Sequence, residues 1–300
     1  SSGINLMNSY TGKELSLSHC KLIAFSEELA QNDITDEIYT LINDIQIRPS
    51  TNIVITKSTA KTYIENSKPL SENLLTKYYE IFSNSSIYTG YTTNTTIGDF
   101  FNSIICNTCE PYAILGGINT ESKEESTNIN SQKDSSSKSS ETSLSSETQS
   151  ENAGAAVFKG GQLVGELNTI ETLSLLATTN QVNGFLVSVP DPQEVNNYID
   201  IYLTPIKNTS ITVNLINGSP YIKLKYHFNG RIYSTQKNSN YLDPAVIENI
   251  SKSCNNYLQS IFSTYLYKTS KEFQSDINGI GKNKKNNFLT TQEFENYKWE

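Results

Sequence analysis

The chain of 300 residues carries a net charge of −8, and its only arginines are Arg48 and Arg231. That balance excludes nucleic acid as the main partner, because phosphate contacts need clustered Lys and Arg, and no run of about 18 apolar residues is present to cross a bilayer as a helix. Hydrophobic residues make up 36%, against roughly 45–50% in ordinary domains; the shortfall is concentrated in one polar tract, and the length suggests about two domains.

Residues 1–119 read as a compact α/β unit. His19-Cys20-Lys21-Leu22-Ile23-Ala24-Phe25 is a buried strand, and Ser26 caps a short helix. Asp36 opens a second helix with Ile38, Leu41, Ile42 and Ile45 on one face, ended by Pro49. Ile53-Val54-Ile55 is another buried strand, and Ser58 or Thr59 caps a helix through Tyr63 and Ile64. After a break at Pro69, Ser71-Glu72 starts a helix through Leu74, Leu75, Tyr78, Tyr79 and Phe82. Thr95-Thr96 caps one more, carrying Phe100, Phe101, Ile104 and Ile105. Short apolar strands alternating with helices favour a layered α/β arrangement.

Residues 120–152 are Ser, Thr, Glu, Lys, Asn and Gln with almost no large apolar side chain. Such a segment buries too little surface to offset its ordering entropy, so it reads as a disordered linker. Beyond it, Val157-Phe158 and Leu163-Val164 form a hairpin around Gly160-Gly161. Asn168 then sits at an N-cap with Glu171 three residues on, the spacing of a capping box, and a helix with Ile170, Leu173, Leu175 and Leu176 follows. Gly184-Phe185-Leu186-Val187-Ser188-Val189-Pro190 is a strand, and four more follow over 198–206, 210–216, 221–228 and 231–235, with turn signals at Asn217-Gly218 and Asn229-Gly230. Asp243-Pro244 starts a long helix whose stripe is Val246, Ile250, Cys254, Tyr257, Leu258, Ile261 and Phe262, extended by Tyr265 and Phe273.

The fold class expected is α+β or mixed α/β and multi-domain: mixed sheets flanked by helices, then a C-terminal antiparallel meander packed on one long helix. The divisions are 1–119, the linker 120–152, a hairpin–helix middle segment 153–192, and 193–300. The eighteen tyrosines suit half-exposed strands or contact surfaces, since the ring buries while the hydroxyl stays wet; general strand formation is the plainer reading.

Chemistry-bearing patterns are sparse. Cys106-Asn107-Thr108-Cys109 fits a redox dithiol, half a zinc site or a local disulfide, with incidental or structural cysteines favoured because the pair follows an apolar helix and His19-Cys20 alone offers further ligands. His19 and His227, the two histidines, lie in or beside strands with no triad spacing. Gly279-Ile280-Gly281-Lys282 with Lys284 and Lys285 is a glycine-capped helix end and basic loop rather than a phosphate loop, and it would also suit anionic headgroups. Glu27-Glu28 compensates a helix dipole, and Glu124-Glu125 lies in the linker. The Asn-x-Ser/Thr triplets at Asn84, Asn94 and Asn208 carry no weight. No catalytic, cofactor-binding or metal-binding residue is assigned, and no cofactor is expected.

The hairpin region resembles the Ger(x)C family of spore germination proteins. The matching elements are Val157-Phe158-Lys159, Gly160-Gly161, Leu163-Val164-Gly165 and Glu171-Thr172. Flanking them are Ser26-Glu27-Glu28-Leu29-Ala30, Glu110-Pro111 leading to Leu115-Gly116-Gly117-Ile118, and Phe273 leading to Ile277-Asn278-Gly279-Ile280-Gly281. The resemblance implies a non-enzymatic lipoprotein, the C subunit of a germinant receptor, on the extracytoplasmic face of the spore inner membrane beside membrane-embedded A and B subunits. It also implies a lipid anchor upstream of Ser1 and a chain that runs on past Glu300. The alternative is an extracytoplasmic lipoprotein that captures a small ligand or cell-wall fragment; an enzyme has the least support.

Overall fold

The computed structural model describes residues 2–66, 77–79, 86–119, 149–193, 196–216, 219–235, 241 and 243–283. The strands form a five-stranded mixed sheet, a three-stranded antiparallel sheet and a two-stranded hairpin, flanked by helices and one long helix near the C-terminal end. The expected mixed α+β class is therefore the class found.

The five-stranded sheet runs β1 (Leu22–Ser26), β2 (Asn52–Thr56), β3 (Tyr112–Asn119), β4 (Gln149–Lys159) and β5 (Gln162–Leu167), in that spatial order. β1, β2 and β3 are parallel; β4 and β5 are antiparallel to their neighbours. Parallel neighbours need helical crossovers. These are α2 (Glu27–Ala30) and α3 (Thr35–Ile42) between β1 and β2, then α4 (Ala60–Asn66) and α5 (Ile97–Ile104) before β3. A helix α1 (Ser2–Thr11) precedes all of these and has no counterpart in the sequence reading.

The caps form as their side chains dictate. Ser26 Oγ accepts from the Leu29 N–H, and Thr96 with Asp99 makes a full capping box at α5. The Thr59 hydroxyl accepts from the Thr62 N–H at 3.2 Å. Every residue of β2 is buried, and its Ile53-Val54-Ile55 centre is a continuous apolar run. Ile53 and Ile55 face a core holding Phe25, Ile34, Ile38, Phe100 and Phe158, while Val54 faces Tyr63, Tyr79 and Ile114.

Three local expectations need correction. Ile45 is fully exposed rather than on the buried face, because α3 stops at Ile42 and the chain leaves the helix at Asn43, well before Pro49. β3, the central strand, was not expected as a strand; its Leu115-Gly116-Gly117 run looks too weak, but the ring of Tyr63 occupies the space where a Gly116 side chain would lie. β4 begins at Gln149, inside the polar tract, where residues 149–152 pair with residues 116–119 of β3. Most of the helix expected from Ser71 to Phe82, the Asn217-Gly218 turn and Glu124-Glu125 lie outside the described residues; of that helix, residues 77–79 are helical.

The second layer holds α6 (Thr169–Thr178), β6 (Phe185–Pro190), β7 (Tyr198–Pro205), β10 (Phe228–Thr235) and the long helix α7 (Pro244–Tyr267), with β8 (Ser210–Ile216) and β9 (Ser219–Lys225) as a separate hairpin. The sheet order is β10-β7-β6. The meander therefore divides, and Asn229-Gly230 lies inside β10 rather than at a turn. Tyr226 explains the break: its ring stacks on Phe262 at 4.3 Å and its hydroxyl is 2.8 Å from Thr178 Oγ1. Burying that aromatic redirects the chain at Tyr226-His227, and Gly230 is used for close packing against Ile201 and Leu203. Asp243 caps α7, and Ile250, Cys254, Leu258 and Phe262 of the expected stripe are buried against the sheet.

Candidate functional site

The stretches that carry the sequence resemblance lie far apart in the chain, and they meet in one place. Their centre is the β4–β5 hairpin. Gly160 has φ of 57°, the left-handed conformation a tight turn requires. The Gly161 carbonyl accepts from the Ile34 N–H at 3.0 Å, and the Gln162 side-chain amide donates to the Gln31 carbonyl at 3.1 Å. The turn is thus docked on the loop between α2 and α3. Asp33 and Thr35 fill the volume a side chain at 161 would need.

On the other side the hairpin meets Glu110-Pro111. Glu110 Oε2 accepts from the Gly160 N–H at 2.6 Å, and the Pro111 carbonyl accepts from the Phe158 N–H at 3.0 Å. Phe158 is fully buried, with its ring 4.8 Å from that of Phe100, edge to face. The Glu110 N–H in turn donates to the Asp276 carbonyl at 3.1 Å, while the Ser275 hydroxyl donates to the Phe158 carbonyl at 2.6 Å.

Asp276 organises the glycine-rich loop. Its carboxylate accepts from the Ile280 N–H at 2.9 Å and the Gly281 N–H at 2.7 Å. Asn278 accepts from the hydroxyl of Tyr265, whose full burial pushes the phenol pKa well above its usual value. The helix-end expectation is corrected here. After α7 a π-helical turn over Lys268–Glu272 leads to Phe273, and Gln274 at φ of 50° takes the left-handed position, with Gly279 lying further on in the loop. Lys284 and Lys285 lie outside the described residues.

The hairpin exit is fastened as well. The Asn168 capping box with Glu171 forms as its spacing predicts. Glu171 also receives Lys268 Nζ at 2.7 Å, and the ammonium sits 5.4 Å from the centre of the Phe273 ring. That ring fills the volume beside Gly165. Near the opposite edge Lys57 pairs with Glu166 and, at 4.0 Å, with Glu27, so Glu27 does more than compensate a dipole.

Cys106 and Cys109 are disulfide-bonded, with Cα atoms 5.6 Å apart, so the pair takes the local-disulfide form and not the favoured incidental or structural one. Cys109 and Glu110 border a cleft of about 770 Å³ that Asp99, Tyr112, Gln181 and Lys282 also line. His227 lies between β9 and β10 with its Nδ1 buried, and His19 is exposed in a turn. Among the described residues no group of three or more His, Cys, Asp or Glu is placed to hold a metal ion, and no helix is long and apolar enough to cross a membrane.

A hub built from backbone bonds, caps and glycine contacts defines a protein whose recognisable residues maintain an arrangement of segments. Two family profiles match it: the spore germination protein N-terminal domain over residues 1–116, and the spore germination B3/GerAC-like C-terminal family over residues 153–300. No curated protein sequence matches the chain. Its fold is similar to that of the crystal structure of the GerBC protein, with a TM-score of 0.61 at 16% identity, covering 93% of this chain and 71% of that one. The chain belongs to the Ger(x)C family of spore germination proteins.

Proposed function

We propose that this chain is the C subunit of a germinant receptor and that it acts by holding neighbours rather than by catalysis. The observation that carries this reading is the convergence of the family stretches on the hairpin. Glu110, Gly160, Gly161, Gly165, Glu171 and Asp276 all serve to fix one segment against another. Its partners are membrane-embedded A and B subunits at the spore inner membrane, where a lipid anchor upstream of Ser1 retains it on the extracytoplasmic side. Exposed Tyr221, Tyr233 and Tyr267 suit contact surfaces of this kind. Residues 120–148, the part of the polar tract that precedes β4, serve as a dispensable connection between the parts on either side.

In-frame deletion in the parent organism tests the proposal. Spores without the protein should fail to respond to the nutrient served by its receptor and regain the response on complementation; an unchanged germination rate would overturn it. A second reading, capture of a small ligand, is favoured by the cleft beside Cys109, where Asp99, Glu110 and Lys282 place both signs of charge among amide and hydroxyl groups. Thermal shift with amino acids and muropeptides separates the two.

A further inference from the structure

We propose that the Cys106–Cys109 disulfide is a redox modification site, a latch opened by a dithiol, that holds Glu110 between the hairpin turn and the Asp276 loop. Three observations carry it. The bond closes the short turn between α5 and β3, so the residue that follows it directly, Glu110, leaves the turn in a fixed direction. Glu110 is the junction's double contact, with its N–H on the Asp276 carbonyl and its carboxylate on the Gly160 N–H. Finally, Cys109 lines the cleft, the side from which an incoming thiolate would approach the bond.

The chemistry follows from the two sulfurs' surroundings. A thiolate of the incoming dithiol attacks Cys109 Sγ; the bond to Cys106 Sγ breaks, and Cys106 keeps the electron pair and takes a proton. The Thr108 hydroxyl, 3.5 Å from Cys106 Sγ, is placed to donate to that leaving sulfur. The second sulfur of the reductant then attacks the mixed disulfide, closes its own disulfide and releases Cys109 as a thiol. Two hydrogens pass from reductant to protein.

Cys106 follows the last turn of α5, where its N–H bonds the Ser103 carbonyl at 3.2 Å. The partial negative charge at a helix C-terminus disfavours a thiolate there, so the oxidised form resists weak reductants. A monothiol fares worse still: the released Cys106 sits beside the mixed disulfide and re-forms the original bond before a second molecule arrives.

The test compares oxidised and reduced full-length protein by alkylation mapping and hydrogen exchange, with dithiothreitol as the dithiol and glutathione as the monothiol. Cys106 and Cys109 should resist alkylation until dithiothreitol is added, while glutathione leaves them blocked. On reduction, exchange in peptides covering 156–162 and 274–282 should rise about threefold or more, and peptides covering β6 and β7 should not change. The C106S/C109S variant should match the reduced wild type. Alkylation without reductant, equal opening by glutathione, or unchanged exchange at the junction after reduction would each overturn the proposal, and the wild-type comparison stands even where the variant fails to fold.

Discussion

Lys268 Nζ lies 2.7 Å from Glu171 Oε2, an ion pair between residues 97 positions apart that ties the end of the long helix to the cap of α6. Because the same carboxylate accepts from the Asn168 N–H at 2.8 Å, one side chain serves a helix start and a tertiary contact together. Both side chains are well covered, at 25% and 13% exposure, so this pair is worth more than a surface bridge.

Removing Glu171 should therefore cost more than removing Lys268. Glu171→Ala loses the reciprocal cap and leaves the ammonium unpaired, a loss of about 2–3 kcal/mol. Glu171→Gln keeps the capping geometry and should lose about half as much. Lys268→Ala leaves the cap intact and should fall below Glu171→Ala. Urea unfolding at neutral pH ranks the three.

Gly165→Ala pushes a methyl group into the Phe273 ring. Overpacking of that kind costs roughly 1–3 kcal/mol. The double variant Gly165→Ala/Phe273→Leu should recover part of the loss, whereas Phe273→Leu alone should destabilise. A thermal melt of the four proteins checks the sign of the coupling.

The buried phenols give the fold an alkaline limit. Tyr79, 3% exposed and 2.5 Å from the Tyr63 hydroxyl, has its pKa pushed up to about 12, chiefly by burial; Tyr63 is raised for the same first reason. A folded pKa above the unfolded value near 10 means stability that is complete below pH 10 and lost as pH rises toward 12. Urea midpoints should fall across that window. Tyr79→Phe should flatten the fall, because one phenol of the Tyr63–Tyr79 pair no longer titrates.

Deleting residues 122–146 should leave receptor assembly intact, since the pairing of β4 with β3 starts at Gln149–Asn119. Recovery of the membrane subunits with the shortened protein, measured against full length, checks this. A shortened protein that no longer assembles would assign the tract a contact of its own.

The cap at Thr96 and the capping box at Asn168 were legible because each is written within four residues, and so was the hairpin at Gly160-Gly161. β3 was not legible, because Gly116 and Gly117 look like strand breakers until Tyr63, more than fifty residues upstream, is seen to fill the space beside Gly116. Asn229-Gly230 misled for the opposite reason: a good local turn signal yields to the burial of Tyr226 against Phe262. The disulfide was one of several readings of the Cys106–Cys109 spacing, and the junction itself was hidden. The contacts of Glu110 with Gly160 and Asp276 join residues 50 and more positions apart, and nothing local in Glu110-Pro111 points to either partner.

The central claim is that the junction maintains a surface for binding receptor partners. The most direct measurement is detergent co-purification of the tagged full-length protein with the proposed membrane-embedded subunits, comparing wild type with Glu110→Ala. Wild type should bring down both subunits and Glu110→Ala, recovered in equal amount, should bring down several-fold less. Wild-type protein recovered free of both subunits would contradict the account.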